Sequence, residues 1–173
     1  MQKESAETAA NRLNNLPAGE RYMVAFPQVI TEDKSLETEA QRLREDGFIR
    51  WIVDGQVLTT DQQVEISKAK AADDSVFVVV DRLTAGKTAE ARVRESLETA
   101  MSKGDGRCHV FVPGENGAAK SIAETLFPEQ ESVQPCPSMV IDGKTWVRIG
   151  FSNQLVCEDC GEEFPRLLSL IHI

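Results

Sequence analysis

The chain contains 173 residues with a formal net charge of −9, and 41% of the residues are hydrophobic while 27% are charged. This length suits one domain, or one domain with a short module, and the composition excludes a disordered chain. The acidic balance argues against a protein whose overall field attracts DNA or RNA, so any basic contact has to be local.

From the sequence we expect neither a membrane span nor a secretory signal. No apolar run approaches the ~20 residues that cross a bilayer, and the polar stretch 1–16 is unlike a secretory signal. Four cysteines without such a signal are typical of a reducing compartment. We therefore expect a cytoplasmic protein.

The first third of the chain predicts two helices on either side of a buried strand. Residues 5–16 carry apolar side chains at helical spacing, and Pro17-Ala18-Gly19 ends this helix. The apolar run 21–29 has the length and composition of a buried strand. A second helix is expected over 36–46, because Leu36, Ala40 and Leu43 are spaced for one helix face, and Gly47 ends it.

The middle of the chain predicts a hairpin, a strand, a helix and another strand. Asp54-Gly55 lies between flanks rich in β-forming residues and is a strong signal for a two-residue hairpin turn. The polar stretch 59–74 is expected to form a loop or an irregular edge. The predicted bounds are 48–57 for the hairpin, 75–83 for the strand, 88–102 for the helix and 108–112 for the last strand.

Weaker patterns follow in the last third. A short helix is expected around 118–126. A second hairpin joins strands over 139–141 and 145–149 through the turn Asp142-Gly143-Lys144. The apolar tail 166–173 has no predicted partner.

The order of these elements predicts an α+β fold. We expect two layers, with a mostly antiparallel sheet and helices packed on one face, followed by a short cysteine-knuckle tail. The chain divides into an α+β core over 1–112, extended return strands over 113–153, and the knuckle with its tail over 154–173.

Two cysteines form the motif Cys157-Glu158-Asp159-Cys160-Gly161. Such a turn places two thiolates on one side of a tight knuckle and supplies two of the four ligands of a structural zinc. The alternatives are a redox dithiol and a pair of inert cysteines. Gly161 and Pro165 disfavour the helix that a redox site needs, so the zinc knuckle is favoured. Cys108 and Cys136 could complete the set, but Cys108 is expected in the core.

Two arginines lie in predicted strands, Arg50 in the hairpin and Arg82 at the end of the next strand. If these strands are neighbours, both guanidinium groups can share one sheet face, where their planar forks suit carboxylates. The alternative is that each arginine pairs locally, with Asp54 or with Asp81, in an exposed salt bridge of little energetic value. The residues alone favour this local pairing.

No nucleotide-binding or catalytic motif stands out. Gly114-Glu115-Asn116-Gly117 precedes Lys120-Ser121, but the spacing is wrong for a phosphate loop. His109 lies in a predicted strand and is expected to be structural, and no Ser-His-Asp or Cys-His arrangement is suggested. The residues therefore give no support for an enzyme active site.

Several short motifs follow one another in a specific order and spacing. They are Gly47-Phe48-Ile49-Arg50 with Val53-Asp54-Gly55, Val78-Val79-Val80-Asp81-Arg82-Leu83, Ser96-Leu97-Glu98-Thr99-Ala100 ahead of Gly104-Asp105-Gly106, and Phe151-Ser152 ahead of the cysteine pair. Together they resemble UvrA, the damage-sensing ATPase subunit of the bacterial nucleotide excision repair excinuclease. The similarity extends over residues 4–165.

The resemblance implies a function in protein docking. In that family the corresponding domain is inserted in the first ATP-binding half and docks the partner UvrB, and a following cysteine pair opens a zinc module. Arg50 and Arg82 match the family's arginines that contact acidic residues of UvrB, and Lys68 and Lys70 are expected as rim charges. Cys157 and Cys160 match the first half of the zinc site. DNA binding, ATP binding and homodimer formation are expected only of the full-length parent.

The chain departs from the family pattern at three places. Ile52 replaces a second arginine, the stretch 113–138 is longer than usual, and the sequence after Pro165 does not reach a second cysteine pair. The expected phosphate loop, signature and Walker B motifs are not in the sequence. We therefore expect a fragment that docks UvrB and does not itself hydrolyse ATP. The alternative is a free-standing small zinc or thiol redox module that uses the cysteine pair; direct DNA binding is disfavoured by the net charge.

Overall fold

A computed structural model describes residues 2–29, 35–61, 76–114, 118–131, 136–153, 155–156 and 163–164. Within these ranges the helices are α1 (Ala6–Leu13), α2 (Leu36–Glu45), α3 (Glu90–Lys103) and α4 (Ala118–Leu126). The strands are β1 (Gln2–Lys3), β2 (Arg21–Pro27), β3 (Arg50–Val53), β4 (Gln56–Thr59), β5 (Val76–Thr84), β6 (Arg107–Pro113), β7 (Ser138–Ile141), β8 (Lys144–Ser152), β9 (Leu155–Val156) and β10 (Glu163–Phe164). The predicted α+β fold is confirmed.

The first two helices begin at serine caps. Ser5 and Thr8 form a reciprocal capping box, in which the Thr8 backbone N–H donates to Ser5 Oγ at 3.2 Å and the Ser5 backbone N–H donates to Thr8 Oγ1 at 2.8 Å. Ser35 Oγ accepts from the backbone N–H of Thr38 at 3.2 Å at the start of α2. After α2, Gly47 takes a φ of 93°, which ends the helix as its sequence position predicted.

The main sheet has eight strands. Seven of them follow the hydrogen-bonded order β1-β8-β6-β2-β5-β3-β4, and the eighth, β7, also pairs with β8, on the edge opposite β6. All of these pairs are antiparallel except that of β1 with β8. The short strand β1 was not predicted, because two residues carry no alternation pattern. The predicted boundary between 112 and 113 stays a prediction; strands from both sides of it, β6 and β8, are paired in this sheet.

Each face of the sheet packs into its own apolar core. The helix-side core contains sheet residues such as Val24, Trp51 and Val78 together with buried residues of all four helices. On the opposite face lies a smaller cluster, which we call the inner core. Its buried members are Met23, Ala25, Ile52, Phe77, Val79, Phe111 and Ile141. Full burial of a valine, isoleucine, methionine or phenylalanine side chain contributes about 1.5–3 kcal/mol to the stability of the fold, so both cores stabilise the sheet.

The sheet curls around the inner core until its two outer hairpins meet. The backbone N–H of Asp142, in the β7–β8 turn, donates to the carbonyl oxygen of Gly55, in the β3–β4 turn, at 2.9 Å. A Cβ atom at Gly55 would lie 2.8 Å from the carbonyl oxygen of Val140, so only glycine fits this approach. We call the curled side the concave face; it is the side opposite the helices.

Both predicted Asp-Gly turns are present. Asp54 and Gly55 have φ values of 49° and 75°, and Asp142 and Gly143 have values of 51° and 77°. Two successive positive φ angles define the tight turn that matches the twist of the flanking strands.

None of the described helices is long and apolar enough to cross a membrane.

Candidate functional site

Arg50 and Arg82 lie on the same face of the sheet. Arg50 starts β3 and is paired in register with Val79 of β5, whose side chain belongs to the inner core. Arg82 is paired with Met23 of β2, which is also an inner-core residue. Residues directly opposite one another on paired strands point to the same side, so both arginines project from the concave face. Both are exposed.

A β-bulge in β5 places Arg82 on this face. Along β2, Val24 is paired with Asp81 and Ala25 with Val79, which leaves Val80 as an extra residue without a partner on β2. Strict alternation from Val79 would have turned Arg82 toward the helices. The bulge resets the alternation, so that Asp81 faces the helices and Arg82 faces away from them.

Asp81 is held by helix α3 and not by the side chain of Arg82. Arg92 donates to both carboxylate oxygens of Asp81, from Nε at 3.0 Å and from Nη2 at 2.9 Å, and Ser96 Oγ donates at 3.0 Å. Arg82 contacts this carboxylate through its backbone N–H, which donates to Asp81 Oδ1 at 2.9 Å. Burial opposes ionisation, but the hydrogen bonds from Arg92 and Ser96 outweigh it and lower the pKa of Asp81.

The local pairing favoured by the residues alone is therefore wrong. Within the described part of the chain, neither Arg50 nor Arg82 forms a side-chain hydrogen bond or an ion pair, and Asp54 has no ion pair with Arg50. The two guanidinium groups are thus exposed, close to one another in the sheet, and not paired with any of the residues that the structure describes. They remain available to acceptors from another molecule.

The two arginines open into a concavity of about 850 Å³ at one end of the concave face. Its lining includes four cations, Arg21, Arg50, Arg82 and Lys144, and we call this set the cationic groove. Asp142 is the one carboxylate among the described lining residues, and its Oδ1 accepts from the backbone N–H of Val57 at 3.3 Å. The groove therefore carries an excess of positive charge in a protein that is acidic overall.

Apolar surface lies directly beside these charges. The side chain of Ile49 is 65% exposed, and a smaller hollow of about 170 Å³ is lined by Ile49 together with Arg50 and Arg82. On the other side of the groove, Lys144 Nζ lies 5.4 Å from the centre of the Trp146 ring. A mixture of arginine forks, an aromatic ring and exposed aliphatic surface is typical of protein interfaces.

Sequence reasoning missed Arg21 and Lys144. Arg21 begins β2 and Lys144 begins β8, so each stands at the end of an apolar strand where a polar residue is unremarkable. Only the curl of the sheet brings β8 and its turn against β3 and β4. Two other predicted contacts, Lys68 and Lys70, lie outside the described residues, and their role stays a prediction.

The predicted zinc ligands Cys157 and Cys160 also lie outside the described residues, so neither the knuckle nor its redox alternative is tested. Cys108 is fully buried, and burial raises the pKa of its thiol to about 12. The side chain of Cys108 packs in the helix-side core among apolar residues, where the sequence placed it. Burial also raises the pKa of Cys136. The described residues contain no group of three or more His, Cys, Asp or Glu side chains that could hold a metal.

Comparison with known protein families gives a match over residues 4–114 to the family described as UvrA interaction domain. UvrABC system protein A of Treponema pallidum (strain Nichols) is 26% identical over 167 residues, which cover 96% of the chain and 16% of that protein. The Bacillus subtilis (strain 168) protein of the same name is 27% identical over 133 residues, or 77% of the chain and 13% of the relative. The chain thus spans about a sixth of the length of these relatives, or less.

Proposed function

Because the chain belongs to the family of UvrA interaction domains, we propose that it is a protein-docking domain that binds a UvrB-like partner through the cationic groove. The observation that carries this proposal is the position of Arg50 and Arg82. Both are exposed on one face, both lack a partner within the described residues, and a bulge specifically turns Arg82 to that face.

The groove is suited to an acidic surface of the partner. Each guanidinium group offers a planar fork that binds a carboxylate through two parallel hydrogen bonds. Because neither arginine is paired with a carboxylate of the described ranges, binding requires no ion pair within those ranges to break. Arg21, Lys144 and the predicted rim residues Lys68 and Lys70 would mainly accelerate association, since exposed rim charges affect the on-rate more than the affinity.

Asp81 acts as a positioning residue for this surface. It fixes the backbone at the bulge through the Arg82 N–H and ties the same point to α3 through Arg92 and Ser96. A charge held on a rigid sheet loses less side-chain and backbone freedom on binding than one on a mobile loop. The domain therefore presents its arginines in a fixed geometry.

The relatives are named UvrABC system protein A, and we propose that the chain serves the same nucleotide excision repair system. Hydrolysis of ATP, contact with DNA, homodimer formation and a cytoplasmic location are proposed for the longer protein and not for this segment. The segment itself contributes the docking step. Its acidic net charge of −9 is consistent with leaving the DNA contact to other parts of that protein.

The docking proposal is tested by the double variant Arg50→Ala with Arg82→Ala, measured by titration calorimetry against a UvrB-like protein. We expect binding to fall below detection, because truncating a central arginine contact costs about 2–5 kcal/mol. Circular dichroism should show an unchanged fold, since both side chains are exposed. The matched control is Arg94→Ala with Lys120→Ala, two exposed cations on helices. Unchanged affinity of the arginine double variant, or an equal loss in the control, would contradict the proposal.

For the knuckle, we propose that Cys157 and Cys160 supply two ligands of a zinc site that other residues of a longer protein complete. Two thiolates leave a tetrahedral shell half filled, so the 173-residue chain should bind zinc weakly. A competition titration with a chromogenic chelator measures this. One tightly bound zinc per monomeric chain would contradict the half-site.

A further inference from the structure

A second basic concavity lies at the other end of the same face. Strand β2 runs from Arg21, in the cationic groove, to Pro27, which lines this second concavity of about 450 Å³. We call it the His109 hollow and define it by six of its lining residues, Arg42, Lys103, Asp105, Arg107, His109 and Arg148. Four of these are cations, which is unusual in a protein with a net charge of −9.

His109 forms part of the wall of this hollow and has a polar atom without a partner. Its side chain is 9% exposed, and its Nδ1 has no hydrogen-bond partner. The ring packs edge-on against Phe77, with 5.1 Å between ring centres. Burial, together with the positive charges of Arg148 and Arg107, lowers the pKa of His109 to about 3. The imidazole is therefore neutral near pH 7, and one of its nitrogens carries a proton to donate.

The surrounding cations are only partly neutralised. Arg42 Nη2 is bound to Glu39 Oε2 at 2.9 Å, and Asp105 supplies a second carboxylate at the rim. Arg148 is half-buried with its Cζ 5.6 Å from the centre of the Phe77 ring, and within the described residues it has no carboxylate partner. Within the described part of the chain, Arg148 and Lys103 therefore add positive charge that no ion pair neutralises, beside a neutral buried imidazole.

We propose that the His109 hollow binds a phosphate-class oxoanion, with Arg148 and Lys103 contacting its oxygens and the neutral ring of His109 forming part of the wall. A tetrahedral anion offers several acceptor oxygens to donors that converge from different directions, whereas a planar carboxylate satisfies a single fork. The apolar ring of Phe77 beneath Arg148 keeps the guanidinium in place without consuming its donors. The hollow lies at the opposite end of the strands from the groove, so its occupancy is a separate function.

The experiment is an NMR titration of the 173-residue chain with inorganic phosphate at constant ionic strength and near-neutral pH. We expect saturable shifts of the His109 imidazole signals with a Kd of about 1 mM or tighter. His109 signals that stay unchanged throughout the titration would overturn the proposal.

Substitutions distinguish a specific phosphate site from general electrostatic attraction of phosphate to the protein. Arg148→Gln should weaken phosphate binding at least about tenfold, since a charge-assisted contact is lost, and Lys103→Gln provides a second test at an exposed residue. The matched control is Arg21→Gln at the other end of the sheet. Non-saturating shifts, or equal weakening by Arg21→Gln, would overturn the proposal.

Two further titrations identify the source of the anion. Adenosine monophosphate that binds more tightly than inorganic phosphate would indicate a phosphate monoester of a nucleotide, and weaker binding would indicate the free ion; both support oxoanion binding. Acetate that binds as tightly as phosphate would overturn the phosphate class. Because Arg148 and Lys103 do not line the cationic groove, their variants should bind a UvrB-like protein as the unmodified chain does, which separates this proposal from the docking proposal.

Discussion

The two ends of the concave face carry similar numbers of cations but expose them differently. At the cationic groove, Arg50 and Arg82 are exposed and unpaired within the described residues. At the His109 hollow, Arg42 and Lys103 are also exposed, but Arg107 and Arg148 are half-buried, and a buried neutral imidazole lies beside them. Exposed guanidinium groups on a broad surface can meet a macromolecule, whereas recessed ones admit only a small ion. The comparison teaches that exposure, more than charge count, decides what a basic surface can bind.

The largest expected effect comes from the inner core that separates the two ends. Phe111 is fully buried there and contacts Phe77 edge-on, with ring centres 5.2 Å apart. Phe111→Ala should lower the free energy of unfolding by about 3–5 kcal/mol, because it removes apolar contacts and leaves a cavity. Urea denaturation followed by circular dichroism measures this. A loss below about 1 kcal/mol would show that the concave face is not held by this core.

A smaller effect, confined to the groove, is expected from Asp81→Ala. The substitution removes the partner of Arg92 and Ser96 and should cost about 1–3 kcal/mol of stability. Since the pKa of Asp81 is lowered in the folded protein, its contribution is present above the ordinary value of 3.8 and is lost as the pH falls below it. Denaturation at neutral and acid pH should show the variant and the unmodified chain converging at low pH. Stability differences that do not shrink with acid would contradict this role.

Affinity for the partner should fall in the same Asp81 variant although Asp81 does not line the groove. The control is Glu98→Ala, an exposed carboxylate further along α3. If Asp81→Ala leaves partner affinity unchanged while lowering stability, Asp81 supports the fold without positioning Arg82.

At the other end, His109 should make stability fall with acid over a different range. The unfolded imidazole takes up a proton near its ordinary pKa of 6.5, whereas the folded one resists until about pH 3. The unfolded state therefore binds more protons between these values, and about 1.4 kcal/mol of stability should be lost by pH 5.5. The difference in unfolding free energy between the chain and His109→Gln isolates this term from the carboxylates. Direct NMR titration provides a check, and an imidazole that titrates near 6.5 would contradict the buried neutral state.

The smallest effect is expected from Lys144→Gln at the rim of the groove. Removing an exposed rim charge should change partner affinity less than about fivefold. The change should appear in the association rate and shrink with added salt, because long-range attraction is screened. Surface plasmon resonance at two ionic strengths measures both rates. A change mainly in the dissociation rate would place Lys144 at the centre of the interface.

Local signals in the sequence sufficed for most elements. Apolar residues at helical spacing, glycine stops and two Asp-Gly turns lie at positions whose local chemistry decides the outcome, and the helices and hairpins follow them. The bulge at Val80 leaves no such signal, because Val78-Val79-Val80 is apolar throughout and shows no alternation to be interrupted. The faces of Asp81 and Arg82 therefore required the register of β2 against β5.

The cationic groove as a whole could not be predicted from local sequence patterns either. Val57 and Asp142, which help to close the curl, are 85 positions apart in the chain. No propensity links residues so distant, and only the closure brings Lys144 and Arg21 into one concavity with the predicted pair. The resemblance supplied Arg50 and Arg82 as contacts, but it gave no reason why they share a face. That reason is the extra residue in β5.

The bulge has a consequence for tolerated changes in chain length. A chain that lacks Val80 would regain a regular ladder in β5 and still keep Asp81 on the helix side and Arg82 on the concave face. The positive charge of the proposed docking surface would therefore survive the deletion. Straightening the strand at its present length would exchange the two side chains, placing a carboxylate where a guanidinium stands. A surface that attracts acidic partners would then repel them. Among homologous sequences, a gap at this position is therefore compatible with docking, whereas a regular strand of the same length is not.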